Sequence, residues 1–317
     1  MTSVASTEAQ KLTELYQSWN ERRAVNQNDP IAFLRSLFQE WEQMSTEVPG
    51  VWYESVDGPV TGIRAVPIDA DQTRAILYIH GGGYIGGSSA SHRKFAGHLA
   101  KAIGVPAFAV DYRLAPEHKY PAPLDDVRAG FDLLVGEGVR PSRIVVAGDS
   151  AGGALATALA LQLRDEGREV PGAVIGLSPY YDSEGLGASF ETNTSSDVMA
   201  GARGRTGIQA NVSMFIADES QRTSPYVTAL RADVTGLPPH YLTVGDGELL
   251  VDGVLRFGDL LREAGIPAEV EVVPEMQHVF PLMAGRAPEA DAAVRAIADF
   301  VRVHVPANQN EVVDAPA

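Results

Sequence analysis

The chain of 317 residues contains no cysteine. Disulfides, thiolate metal sites and cysteine nucleophiles are excluded together, and the redox compartment is left undetermined. Basic residues are scarce: 25 Lys and Arg stand against 41 Asp and Glu, a net charge of −16. Nucleic acid and anionic membrane surfaces are gripped by clustered Lys and Arg, so neither is an expected partner. No apolar run approaches the roughly 18 residues of a membrane-spanning helix. Met1–Gln10 is polar and lacks the basic-then-apolar pattern of an export signal, so a soluble cytoplasmic protein is the expectation. The apolar content is 45%, over a length that suits one large α/β domain or two smaller ones.

Two helical patterns open the chain. Leu12, Leu15, Tyr16 and Trp19 share one helical face. Asp29-Pro30 reads as an N-cap followed by proline at the first helical position, ahead of Ile31, Leu34, Leu37, Phe38 and Trp41. These faces either pack on a core or cap a pocket. From about residue 50 the period changes. Val51–Ser55 and Thr61–Val66 look like strands. Buried-strand runs follow at Ala75–Ile79, Pro106–Val110, Ile144–Ala147, Ala173–Leu177, His240–Val244 and Val270–Val273. Helical stretches lie between them, near 91–104, 124–136, 151–165, 249–264 and 288–304. This alternation predicts an α/β fold, a mostly parallel sheet with helices on both faces. The polar segment 189–221 breaks the rhythm, with weak helical character and no strand. It is either a lid or a disordered loop, and Met214, Phe215 and Ile216, which need burial, favour the lid.

Gly148-Asp149-Ser150-Ala151-Gly152 joins a buried strand to an alanine-rich helix. A serine at such a turn is lifted off the sheet edge with the helix N-terminus beside it. The plainer reading is a βα turn with a solvated serine; the strand-turn-helix context favours a nucleophile. His80-Gly81-Gly82-Gly83-Tyr84 follows another buried strand, and its amides are free to point at a ligand, as an oxyanion requires. The loop lacks the spacing of a phosphate-binding motif. His80 reads as a prop for this loop and not as a base. A serine nucleophile needs a histidine and an orienting carboxylate. His278, just past the last predicted strand, falls at the carboxyl edge of the sheet, the same edge as Ser150. His92, His98 and His304 fall on helices, His118 in a Pro-rich loop, and His240 at the opposite edge. Asp246, Glu248 and Asp252 all follow the preceding strand, and position alone barely separates them.

Together with Asp111-Tyr112-Arg113-Leu114-Ala115-Pro116-Glu117, Gly236-Leu237-Pro238-Pro239 and Gln277-His278, these motifs resemble the bacterial hormone-sensitive-lipase-like carboxylesterases of the α/β-hydrolase superfamily. The resemblance spans about residues 50–304. It implies an α/β-hydrolase fold with a helical cap. In that family the acid commonly opens an Asp-Pro-Leu-type motif about thirty residues before the histidine. Glu248-Leu249-Leu250 occupies that register, which implies Glu248 as the acid, with Asp252 and Asp246 behind it and glutamate replacing aspartate. The resemblance also implies an oxyanion hole from the amides of Gly82, Gly83 and Ala151. Tyr84, Tyr180 and Tyr181 are candidate pocket walls. The matching partition is a cap region (1–48), a core in two parts (49–188 and 222–305), a cap or lid insertion (189–221) and a flexible tail (306–317).

The expected activity is that of a serine carboxylic-ester hydrolase working through an acyl-enzyme on small to medium acyl esters. Ser150, His278 and Glu248 are its catalytic residues, and no metal or organic cofactor is implied. A lactone hydrolase with the same triad is the nearest alternative. A silent small-molecule receptor is disfavoured because serine, histidine and acid are all present. An acyltransferase would use an alcohol in place of water. The expected partner is a small ester or lactone, and the sequence leaves a homodimer open.

Overall fold

Helix α1 (Thr7–Val25) starts where the Ser6 hydroxyl accepts the Ala9 amide, and it buries Leu12, Tyr16 and Trp19. Helix α2 (Pro30–Phe38) starts at Asp29, whose carboxylate accepts the Ala32 amide ahead of Pro30, as the sequence predicts. It tightens into a 3₁₀ turn over Gln39–Gln43, which turns Trp41 inward to stack on Phe38 with ring centroids 4.8 Å apart. The computed structural model describes residues 5–26 and 29–307. Positions 1–4 of the polar start and 308–317 of the tail lie outside the described residues.

The remaining elements alternate. In order they are β1 (Val51–Val56), β2 (Thr61–Pro67), β3 (Ala75–Ile79), α3 (Ser89–Ile103), β4 (Ala107–Asp111), α4 (Ala122–Gly136), β5 (Ile144–Asp149), α5 (Ala151–Asp165) and β6 (Ala173–Leu177). After them come α6 (Ser189–Thr192), α7 (Gly204–Phe215), β7 (His240–Gly245), α8 (Val251–Glu263), β8 (Ala268–Val273) and α9 (Pro288–His304). The strands form one eight-stranded sheet in the order β1-β2-β4-β3-β5-β6-β7-β8. The β1–β2 and β2–β4 pairs are antiparallel and the others parallel. From β3 the chain moves one way to β4, then reverses past β3 to β5. Right-handed crossovers therefore set α3 and α4 on opposite faces. Strands β3, β5, β6 and β7 are buried along their whole length, whereas edge strand β8 alternates between half-buried and exposed. That contrast explains their continuous apolar runs.

Helix α5 is buried on almost every side because its alanines and glycines let it approach the sheet. A Cβ at Gly152 would collide with the carbonyl oxygens of Ile79 and His80. The segment 189–221 is more ordered than its composition suggests. It contains α6, the 12-residue α7 and the start of a 3₁₀ turn over Glu219–Thr223. Phe215 and Ile216 are buried and Met214 is partly buried, so the apolar cluster does find cover. The loops after β3, β5, β6, β7 and β8 all open at the carboxyl edge of the sheet, where ligands bind in open α/β folds.

Candidate active site

Ser150 stands between β5 and α5 with φ 52° and ψ −119°, a conformation that side chains other than glycine rarely adopt. The turn is held by its neighbours: the Ser150 amide donates to the Leu177 carbonyl at 2.8 Å, and its carbonyl accepts the Tyr180 amide at 3.0 Å. The hydroxyl is thereby fixed above the sheet edge. His278, in the turn after β8, brings Nε2 to 2.9 Å from Ser150 Oγ. Its Nδ1 lies 2.7 Å from Glu248 Oε2. With Nδ1–H donating to the carboxylate, Nε2 is left as an acceptor for the serine hydroxyl.

Of the three carboxylates after β7, Glu248 is the one that meets His278. Its other oxygen accepts Ser178 Oγ at 2.7 Å and the Gly245 amide at 2.6 Å, so the buried carboxylate is held at both ends. Asp246 instead accepts the Glu275 amide, and Asp252 the Ser189 amide. Both tie loops together away from the imidazole. Burial works to lower the His278 pKa. The charge and hydrogen bond of Glu248, helped by Asp197 and Asp149, outweigh it and hold the imidazole above its ordinary value.

The glycine loop curls over Ser150. Gly82 and Gly83 take φ values of 114° and 61°, and their amides, like that of Ala151, have no protein acceptor among the described residues. Asp149 anchors the loop from below: Oδ1 accepts the Gly81 amide at 3.0 Å and the Tyr78 hydroxyl at 2.6 Å. His80 stacks on Tyr112 at 4.2 Å, and its Nδ1 lies 2.8 Å from the Gly81 carbonyl. Burial, with the neighbouring His92, pushes its pKa down to about 4, so it is a neutral strut at physiological pH. Among the described residues, no group of three or more His, Cys, Asp or Glu is arranged to hold a metal ion.

A cavity, partly open to solvent, lies over these groups. Ser150, His278, Gly82 and Gly83 form its floor, and Phe38 and Tyr180 stand in its walls. Phe38 thus serves both readings of the N-terminal helices, packing on Trp41 and facing the pocket. The expectation for Tyr84 and Tyr181 is corrected, since neither lines the cavity. Tyr84 stacks on Phe215 at 3.9 Å, and Tyr181 turns under the sheet edge to Phe257 and to Thr157 Oγ1 at 2.9 Å. Their rings are consumed by packing.

Three residues were not singled out by sequence reasoning. Ser178 bridges Glu248 and the Val279 amide, and its place just after β6, at the carboxyl edge, was the available signal. Asp197 lines the cavity, accepts the Ala200 and Leu249 amides, and has its pKa raised chiefly by burial. Arg203 also lines the cavity. Both belong to the insertion, where a charged residue in polar sequence reads as solvated.

Residues 76–282 match the family described as the α/β hydrolase fold. An esterase of Acinetobacter venetianus is 32% identical over 243 residues, covering 76% of this chain and 79% of the relative. Esterase LipU of Mycobacterium tuberculosis is 35% identical over 238 residues, covering 74% and 80%. The crystal structure of an esterase from the bacterial hormone-sensitive lipase family superposes with a TM-score of 0.88 at 31% identity, covering 96% of this chain and 100% of that one. A structure of EstE5 soaked with p-nitrophenyl butyrate gives 0.84 at 29% identity, again over 96% and 100%.

Proposed function

The chain belongs to the bacterial hormone-sensitive-lipase family of α/β-hydrolase esterases, and from that premise we propose that it cleaves small to medium acyl esters through an acyl-enzyme. The observation that carries the reading is the unbroken contact from Ser150 Oγ to His278 Nε2 and from Nδ1 to Glu248.

In the proposed reaction Ser150 Oγ attacks the ester carbonyl while His278 Nε2 takes the hydroxyl proton. Glu248 holds the ring and stabilises the imidazolium. The carbonyl electrons move onto oxygen, and the amides of Gly82, Gly83 and Ala151 receive the charge. One such donor is worth about 2.7–4 kcal/mol of barrier. Collapse expels the alcohol, which takes the proton from His278. Water then gives a proton to His278 and attacks the acyl-serine; as that intermediate collapses the acid leaves and Ser150 Oγ takes the proton back from His278.

The described residues of 1–48, together with 189–221, act as the cap in this reading. The cavity between cap and sheet edge suits a compact acyl group, since Phe38 and Tyr180 close its sides. A panel of p-nitrophenyl esters from acetate to dodecanoate, with lactones beside it, tests the reading. Hydrolysis is expected to peak at short to medium chains and to vanish in Ser150→Ala. Activity that survives that substitution, or a wild-type protein inert toward every ester, refutes it.

A further inference from the structure

Arginines in this acidic chain usually find an acid. Around the cap, Arg22 pairs with Glu40, Arg35 with Glu117, Arg93 with Glu47 and Arg205 with Glu191. Arg203 does not. It forms no ion pair among the described residues, and its Nε is buried without a hydrogen-bond partner. It caps the N-terminal end of α7, where the helix dipole opposes a cation. Burial pulls its pKa down to about 10, and the charge of Arg23 adds to that, against the opposite pull of Asp197 and Tyr180. Both arginines remain cationic at neutral pH.

Its position gives this unpaired charge a use. Arg203 lines the same cavity as Ser150 and His278. It also lines an adjoining hollow that reaches Arg23 on α1 and shares Phe38 and Met199 with the catalytic cavity. Arg23 is half-buried and likewise forms no ion pair among the described residues. Asp197 is the acid lining the cavity, but both its oxygens are taken by the Ala200 and Leu249 amides. A desolvated guanidinium is costly unless an anion joins it, and its planar fork fits a carboxylate with two parallel hydrogen bonds. A purely apolar acyl chain would leave that cost in place.

We propose that the ester cleaved here carries a free carboxylate at the far end of its acyl group, as in a half-ester of a dicarboxylic acid, and that Arg203, backed by Arg23, receives it. The inference rests on the esterase reading and adds the substrate class. The test compares mono-4-nitrophenyl adipate with 4-nitrophenyl hexanoate, which share a six-carbon acyl group. Wild-type protein is expected to favour the adipate in kcat/KM. In Arg203→Met the adipate-to-hexanoate ratio falls by about 10- to 100-fold, the range for a lost charge-assisted hydrogen bond. Arg203→Lys, which keeps a point charge without the fork, falls between them. Should the variants fail to fold, free adipate settles the matter on wild-type protein: it inhibits hexanoate hydrolysis competitively, and neutral adipamide does not. Preference for the hexanoate, equal losses on both esters, or no inhibition by adipate overturns the inference. Ser150-dependent hydrolysis of the hexanoate in those cases leaves the esterase reading standing. A protein inert toward both esters removes both.

Discussion

Tyr16 on α1 donates a 2.8 Å hydrogen bond to the backbone carbonyl of His278, 262 residues further along the chain. The same hydroxyl accepts Trp41 Nε1 at 3.2 Å. The N-terminal helices therefore hold the turn that carries the imidazole, in addition to covering it. Tyr16→Phe leaves two buried groups unpaired, the His278 carbonyl and the Trp41 indole N–H, at a cost of about 1–3 kcal/mol each. The expected outcome is a lower denaturation midpoint together with a several-fold drop in kcat. Unchanged stability and rate would show that the turn needs no support from α1.

The pH dependence has a definite sign. In the proposed mechanism His278 must be neutral to take the serine proton, and its pKa is held above the ordinary imidazole value. The acid limb of kcat/KM is therefore expected above pH of about 6.5, with activity lost as pH falls through it. Glu248→Gln removes the charge that opposes burial, so its limb moves to lower pH while the rate drops by about 10⁴, as when a triad acid becomes an amide. For stability the sign is opposite: a raised folded-state pKa favours the protonated form, so this contribution is present at low pH and fades as pH rises through that value. Rate profiles of both proteins from pH 5 to 9 provide the check. A flat wild-type profile would remove His278 as the base.

Ser150 holds a backbone conformation with φ 52° that costs a non-glycine residue on the order of 1–3 kcal/mol. Ser150→Gly relieves it, partly offset by the greater freedom of glycine in the unfolded chain, about 0.5–1 kcal/mol. The variant is expected to be inactive yet more stable, with its thermal midpoint raised by a few degrees. Calorimetry beside Ser150→Ala, which keeps the strain, separates this effect from simple loss of the hydroxyl. A midpoint for Ser150→Gly below that of Ser150→Ala would contradict it.

The strands and long helices were legible because each follows a local rule. Buried strands such as Ala75–Ile79 are continuous apolar runs, and Asp29-Pro30 marks a helix start by its own chemistry. Direction was harder to read. Asp246, Glu248 and Asp252 crowd one loop, and only the folded backbone turns Glu248 toward His278 and the others toward Glu275 and Ser189. Tyr180 and Tyr181 are adjacent, yet one faces the cavity and the other Phe257. Neighbours along an extended chain point to opposite sides, so a motif cannot say which ring lines a pocket.

What the amino-acid order determined by itself was the alternation of elements, the serine turn, the glycine loop and a histidine at the same sheet edge. These follow from periodicity and turn chemistry within a few residues. Tertiary structure alone decided which carboxylate meets the imidazole, that Tyr16 and Ser178 brace it, and that Arg203 lines the cavity with no ion-pair partner among the described residues. Those are relations between side chains far apart in the chain, and their direction and desolvation exist only once the chain has folded.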